Sequence, residues 1–308
     1  MSASIVKVEN LSHRYSVQWA IKDINFELTR NGIYGLLGSN GAGKSTIMNI
    51  ICGVIKQTQG EVYIQGVSLR NEPVKAKRHI GFLPQQPPLQ TDLTVEEYLR
   101  HCANIRLMKP TAVKPAIDEV MSKVGISHFS KRLIRNLSGG YQQRVGIAQA
   151  IIHKPDFVVL DEPTNGLDPN QILEVRNLIR EIAEERTVVL STHILQEVQA
   201  LCDNIWMINE GNVVFSGTLD EFDNQIMPNT LVVSLMATPS PDALKAIPGV
   251  INADHLGGTR FRIQFSDATE VTERIVAASV TNNWRLMEIN LEKNSLDTIF
   301  AELSKKRK

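Results

Sequence analysis

Apolar and polar positions alternate twice near the start of the chain, at Val6 and Val8 and again at Ile24, Phe26 and Leu28. A period of two predicts strands with one buried face. "GIYGLLG" (Gly32 to Gly38) is a short, continuously apolar run that ends in glycines, which predicts a buried strand. The period then lengthens. Ile47, Ile50, Ile51 and Val54 recur at helical spacing, and "TQG" predicts the end of that helix at Gly60. "EVYIQG" and "HIGFLPQ" read as two further strands.

From Thr94 the pattern is helical. Thr94 with Glu97 forms a capping box, and helices are expected through about Ile152, broken near Lys109-Pro110 and Gly125. "DFVVLDEP" and "TVVLST" are apolar on both faces, as strands of a buried parallel sheet are, with a helix from Asn170 to Glu184 between them. The alternation predicts an α/β core with a helical insert at about 86–152. After Gly217 the order becomes strand ("TLVVSLMA"), helix ("PDALKAI"), strands ("VINADH", "RFRIQFS"), helix ("TEVTERIVAASVT") and strand ("WRLMEIN"). That is the order of a ferredoxin-like unit. A last helix is expected at "SLDTIFAELSKK".

The 308 residues suffice for two domains, and 43% hydrophobic with 21% charged residues marks a globular chain. Thirty-three basic residues balance 33 acidic ones, so charge gives no reason to expect a nucleic-acid partner. The terminal "KKRK" reads as a solvated end. Cys52, Cys102 and Cys202 lack metal-ligand spacing and read as reduced packing thiols of a cytosolic protein. No signal peptide is visible, and no apolar run reaches the ~20 residues of a membrane span.

Gly38-Ser39-Asn40-Gly41-Ala42-Gly43-Lys44-Ser45, followed by Thr46, fits G-x4-G-K-[ST] between a strand and a helix. Backbone N–H groups would curl round a phosphate at the positive end of the helix. Lys44 would reach the β- and γ-phosphates, and Ser45 would ligate Mg²⁺. Asp161, at the end of a buried strand, is the expected carboxylate for that metal, reached through Ser45 or water. Glu162 beside it is the expected general base for an attacking water. "LSGGYQQR" offers a second anion cradle: Ser138 as an N-cap, Gly139 and Gly140 with exposed N–H groups, then a helix from Tyr141 to Ile152. Alone, it also fits a helix with a serine cap and a tight glycine entry. As a cradle it makes sense if it serves the nucleotide of another copy.

With the P-loop and "LDEPT", "LSGGYQQR" resembles the signature of the ABC-transporter ATPases, and the order of motifs agrees over about 1–217. The resemblance implies a P-loop NTPase core with an antiparallel β subdomain and a helical insert, plus a small C-terminal α+β domain. It puts Tyr15 where those proteins stack adenine, although alone Tyr15 would read as a half-buried strand residue. Gln85, after "FLP", matches the glutamine that senses Mg²⁺ and contacts the membrane partner, with Gln86 beside it as a second choice. Asp168 in "NGLDP" matches the loop that speaks across a dimer. His193 in "LSTH" matches the switch histidine that holds the γ-phosphate and orients the water. Ser39 stands where relatives often have proline.

The expected protein is an ATP-hydrolysing subunit with ATP and Mg²⁺ as cofactors, dimerising with a second copy or a related ATPase subunit. It would drive an integral membrane permease, without nucleic acid, from the cytoplasmic face of the membrane. The expected domains are the ATPase at 1–217, a linker at 218–229 and an accessory domain at 230–308. That tail resembles those of prokaryotic exporter ATPases whose permease is a separate chain, and both a padding and a regulatory role fit it. A soluble ATPase of translation or DNA repair would carry a second cassette or a long coiled coil; neither is present in this sequence.

Overall fold

In the computed structural model, which describes residues 4–225, 230–265 and 268–292, the alternating positions become β1 (Val6–Tyr15) and β2 (Gln18–Leu28). Val6, Val8, Ile24 and Leu28 are buried there. β3 (Gly32–Leu37) leads into the glycine loop, and α1 (Lys44–Ile51) leaves it. This helix stops short of the expected Gly60. Gly53 sits at φ +66° and bonds the Ile50 carbonyl, while the Val54 N–H bonds the Asn49 carbonyl, both at 2.8 Å. That paired return closes a helix through a left-handed residue, which glycine adopts without a Cβ clash. Gly60 lies instead in β4 (Gln59–Ile64). β5 (Val67–Ser68) completes an antiparallel sheet ordered β2-β1-β4-β5.

A short helix, α2 (Pro73–Lys77), and β6 (Ile80–Leu83) precede the helical insert. Its helices are α3 (Val95–Ile105), α4 (Pro110–Lys123) and α5 (Gly139–Ile151). The capping box is formed: the Glu97 N–H donates to the Thr94 hydroxyl at 3.3 Å, and the Thr94 N–H donates to the Glu97 carboxylate at 2.9 Å. The chain returns through β7 (Phe157–Asp161), α6 (Pro169–Ala183), β8 (Thr187–Thr192), α7 (Leu195–Leu201), β9 (Asn204–Asn209) and β10 (Asn212–Thr218). These complete a six-stranded sheet ordered β10-β9-β3-β8-β7-β6, parallel except for β10. Every residue of β7 and β8 is buried, as their doubly apolar sequences require. β3, β7 and β8 are neighbours, so their carboxyl ends, where open α/β sheets bind ligands, lie side by side. One core, from Val6 and Leu11 through Ile47 and Ile50 to Trp206, joins the two sheets round α1.

The chain divides into two compact units between Leu219 and Asp220. Residues 219–225, read as linker in the sequence, form α8 (Leu219–Gln225). Residues 226–229 of that linker, the expected last helix and the basic tail lie outside the described residues. The second unit has β11 (Thr230–Leu235), α9 (Pro241–Lys245), β12 (Val250–Gly257), β13 (Arg260–Phe265), α10 (Ala268–Thr281) and β14 (Leu286–Leu291). Its antiparallel sheet runs β12-β13-β11-β14, the ferredoxin-like arrangement, over a core that includes Leu231, Phe261, Ile263 and Ile275. Among the described residues no helix is long and apolar enough to cross a membrane.

Candidate nucleotide-binding and hydrolysis site

The loop after β3 is held by its neighbours. Gly43 stands at φ +110°, and a Cβ there would lie 2.7 Å from Ile21 Cγ2 and 2.9 Å from the Ala20 carbonyl. Gly211, in the β9–β10 turn, donates its N–H to the Ala42 carbonyl at 3.0 Å. Lys44 opens α1 and is buried; its Nζ donates to the carbonyls of Gly38 at 2.8 Å and Ser39 at 3.1 Å. Burial pushes the pKa of this ammonium down, and the charges of Glu162 and Asp161 oppose the shift. Lys44 is thus a cation kept near its loop, facing no carboxylate at contact distance among the described residues, which suits it to phosphate oxygens.

Asp161 ends β7 and accepts the Ser191 hydroxyl from β8. Glu162, at the next position, takes a left-handed backbone of φ +48° and is almost fully buried. A non-glycine residue there carries strain that its surroundings must offset. Three side chains converge on its carboxylate. Oε2 accepts Gln85 Nε2 at 2.8 Å and Asn165 Nδ2 at 3.1 Å, and Oε1 lies 3.0 Å from His193 Nδ1. Loops that follow β6, β7 and β8 therefore meet at one group.

A cleft of about 940 Å³ opens over this cluster. Of the sequence-derived residues, Tyr15, Asn40, Gly41, Gly43, Lys44, Ser45, Thr46, Gln85, Glu162 and His193 line it. Gly38, Ser39 and Ala42 belong to the same loop, and Asp161 adjoins Glu162. Tyr15 is 54% exposed, more open than a half-buried strand residue, with its ring edge-on to His13 at 4.7 Å. Ser138, Gly139, Gly140 and Asp168 do not line the cleft. Ser138, Gly139 and Asp168 are exposed, but Gly140 is buried, unlike the open glycine pair expected from the sequence: a Cβ on Gly140 would stand 2.5 Å from the Gln171 side chain, and Asp168 caps α6 through the N–H groups of Asn170 and Gln171. Ser138 occupies the N-cap position of α5 but makes no side-chain cap bond, contrary to the sequence expectation. Its hydroxyl does no work for its own helix.

Sequence reasoning missed Gln18, Trp19, Ala20, Asn165, Glu210 and Gly211, which also line the cleft. Asn165 was within reach, three residues after Glu162 in "DEPTN"; the others come from the start of β2 and from the β9–β10 turn, neither of which carries a motif. Among the described residues no cluster of three His, Cys, Asp or Glu stands ready to cage a metal. The Ser45 hydroxyl, the Asp161 carboxylate and the Gln85 amide are oxygen donors, which fit Mg²⁺ held mainly by phosphates and water.

The sequence matches the ABC transporter family over residues 21–165. The bacitracin transport ATP-binding protein BcrA of Bacillus licheniformis is 39% identical over 214 residues, covering 69% of each chain. The linearmycin resistance ATP-binding protein LnrL of Bacillus subtilis is 29% identical over 307 residues, 97% of this chain and 98% of its own. A solved dimeric ATP-binding cassette in a post-hydrolysis state, bound to ADP and Pi, superposes with a TM-score of 0.64 at 28% identity, covering 70% of this chain and 98% of that one. The chain belongs to the ABC transporter family as an ATP-binding subunit. It binds and hydrolyses ATP.

Proposed function

We propose that two such subunits close head-to-tail on two Mg·ATP and drive a separate integral membrane permease in the direction of export. The observation that carries this reading is the split site. The P-loop and Glu162 share one cleft, whereas Ser138, Gly139 and Asp168 are exposed outside it and Gly140 is buried beside them. A nucleotide on the P-loop keeps an open side, and the signature of a second copy, or of a related subunit, would cover it. The dimeric cassette with ADP and Pi supports that pairing. Relatives named for bacitracin transport and linearmycin resistance support removal of toxic compounds from the cell, the second along nearly its whole length.

The loop N–H groups and Lys44 bind the phosphates, and Tyr15 stacks the adenine. Ser45, Asp161 and Gln85 would hold Mg²⁺, which supplies charge neutralisation between the phosphates. Glu162 takes the proton of the attacking water, and His193, on Glu162 Oε1, orients that water beside the γ-phosphate. Loss of the γ-phosphate removes the counter-charge between the two copies, and they part. A groove of about 630 Å³ supports docking of the permease. Exposed Val74, Ile105 and Leu107 stand there among Lys77, Arg78 and Arg106. This contact would keep the subunit at the inner face of the membrane, with no nucleic acid involved.

Glu162→Gln tests the scheme. It should bind ATP, lose about 10²- to 10⁴-fold in turnover and accumulate as a dimer by light scattering. Wild-type turnover would refute the assignment of the base.

A further inference from the structure

The Glu162 turn and the His193 loop meet at a second carboxylate that this mechanism does not use. Glu197, in the first turn of α7, is only 3% exposed. Its Oε1 accepts the Thr164 hydroxyl, and its Oε2 accepts the Thr192 hydroxyl at 2.8 Å. Thr164 follows Glu162 by two residues, and Thr192 immediately precedes His193. One side chain therefore fastens both loops. Each tie has a second anchor. The Thr192 hydroxyl oxygen accepts the Ile194 N–H at 3.0 Å, and Gln143, buried on α5, donates Nε2 to the Pro163 carbonyl at 2.8 Å.

Burying a carboxylate is costly unless donors meet it, and an apolar side chain could fill the space without that cost. What the carboxylate adds is two charge-assisted bonds of defined length, about twice as strong as neutral ones. Both bonds end on residues flanking the 3.0 Å contact between Glu162 Oε1 and His193 Nδ1. The strained backbone at Glu162 also needs fixing from outside, because φ +48° is not a conformation that a glutamate keeps unaided.

We infer that Glu197 is a positioning residue for hydrolysis: through Thr164 and Thr192 it sets the spacing of Glu162 and His193. The inference rests on the roles proposed above for those two residues. Glu197 touches neither the P-loop nor the cleft, so its effect falls on turnover and not on nucleotide binding.

The test uses the full-length chain, with ATPase rates and separate titration by a fluorescent ATP analogue. Thr164→Val removes one hydroxyl at nearly constant shape. It should lower kcat about ten- to hundredfold while affinity stays within about twofold, as expected for reacting groups displaced by a fraction of an ångström. Thr164→Ser should recover most of kcat. Glu197→Gln combined with Thr164→Val should lose no more than the worse single variant, because both act through one unit. Wild-type kcat in Thr164→Val, a Thr164→Ser variant no better than Thr164→Val, or a matching fall in affinity would each overturn the inference. Glu162→Gln keeps the two readings apart. If it is dead while Thr164→Val turns over normally, the clamp alone is wrong. If it turns over normally, the base assignment fails, and the clamp loses its purpose with it.

Discussion

The loop at Gly38–Ser45 and the turn at Ser138–Gly140 are both glycine-rich entries to a helix, yet their surroundings differ. The first is packed between β2 and the β9–β10 turn, and its lysine is buried against its own carbonyls. The second has an exposed serine and an exposed first glycine, and the serine leaves its helix uncapped by any side chain. Anion chemistry is available at both. Only the first has walls. The difference shows that a phosphate cradle is made by what closes around it, and the second turn lacks that closure within its own chain.

Lys44→Ala should break the comparison on its stronger side. ATP turnover should fall about a thousandfold, with ATP affinity falling too, because a preorganised cation is lost; rate and binding assays check this. Gly43→Ala forces a Cβ against Ile21 and the Ala20 carbonyl at φ +110°. A loss of about 3 kcal/mol in unfolding free energy is expected, readable by denaturant titration. Ser138→Ala should sharpen the contrast. The affinity of a single copy for ATP should not change, while turnover falls about tenfold, the worth of one hydrogen bond to a charged group. An equal loss of affinity in the isolated copy would place Ser138 in its own cleft.

A pH-dependent effect on stability lies just beyond the far end of the helix that the signature begins. His153 bonds the Ile80 carbonyl through Nε2 at 3.0 Å, and its Nδ1 is buried without a partner among the described residues. Burial, aided by the nearby Arg106, pushes its pKa down to about 4. Below about pH 6.5 the unfolded chain takes up a proton that the folded chain refuses. Stability is therefore full above that pH and lost as pH falls toward 4, by about 3 kcal/mol. His153→Gln should flatten the fall in melting temperature between pH 7 and 4.5.

Much of the candidate half-site was legible because the residues that line the cleft come from contiguous stretches. Gly43, Lys44 and Ser45 must be consecutive to place N–H groups, an ammonium and a hydroxyl round one phosphate chain. Asp161 and Glu162 were legible from the apolar strand before them. The end of α1 was not, since Val54 continues the apolar spacing and only the backbone of Gly53 turns the chain. Gln143 and Glu197 were hidden for a different reason. Each is an ordinary polar residue whose meaning depends on its partner, and that partner is remote in sequence: the Pro163 carbonyl and the Thr164 hydroxyl.

Taken alone, the sequence determined many of the elements, though not α2, α7, β9 or β10, together with the glycine loop between a strand and a helix and the two strand-end carboxylates, because periodicity and contiguous motifs are properties of short stretches. Tertiary structure alone decided which stretches share a cleft. Pairing of β3, β8 and β7 in one parallel sheet sets their carboxyl ends together and gathers Lys44, Glu162 and His193, while the packing of α5 leaves Ser138 outside that cleft. Hydrogen-bonded strands impose neighbourhood regardless of distance along the chain, and no local pattern encodes that.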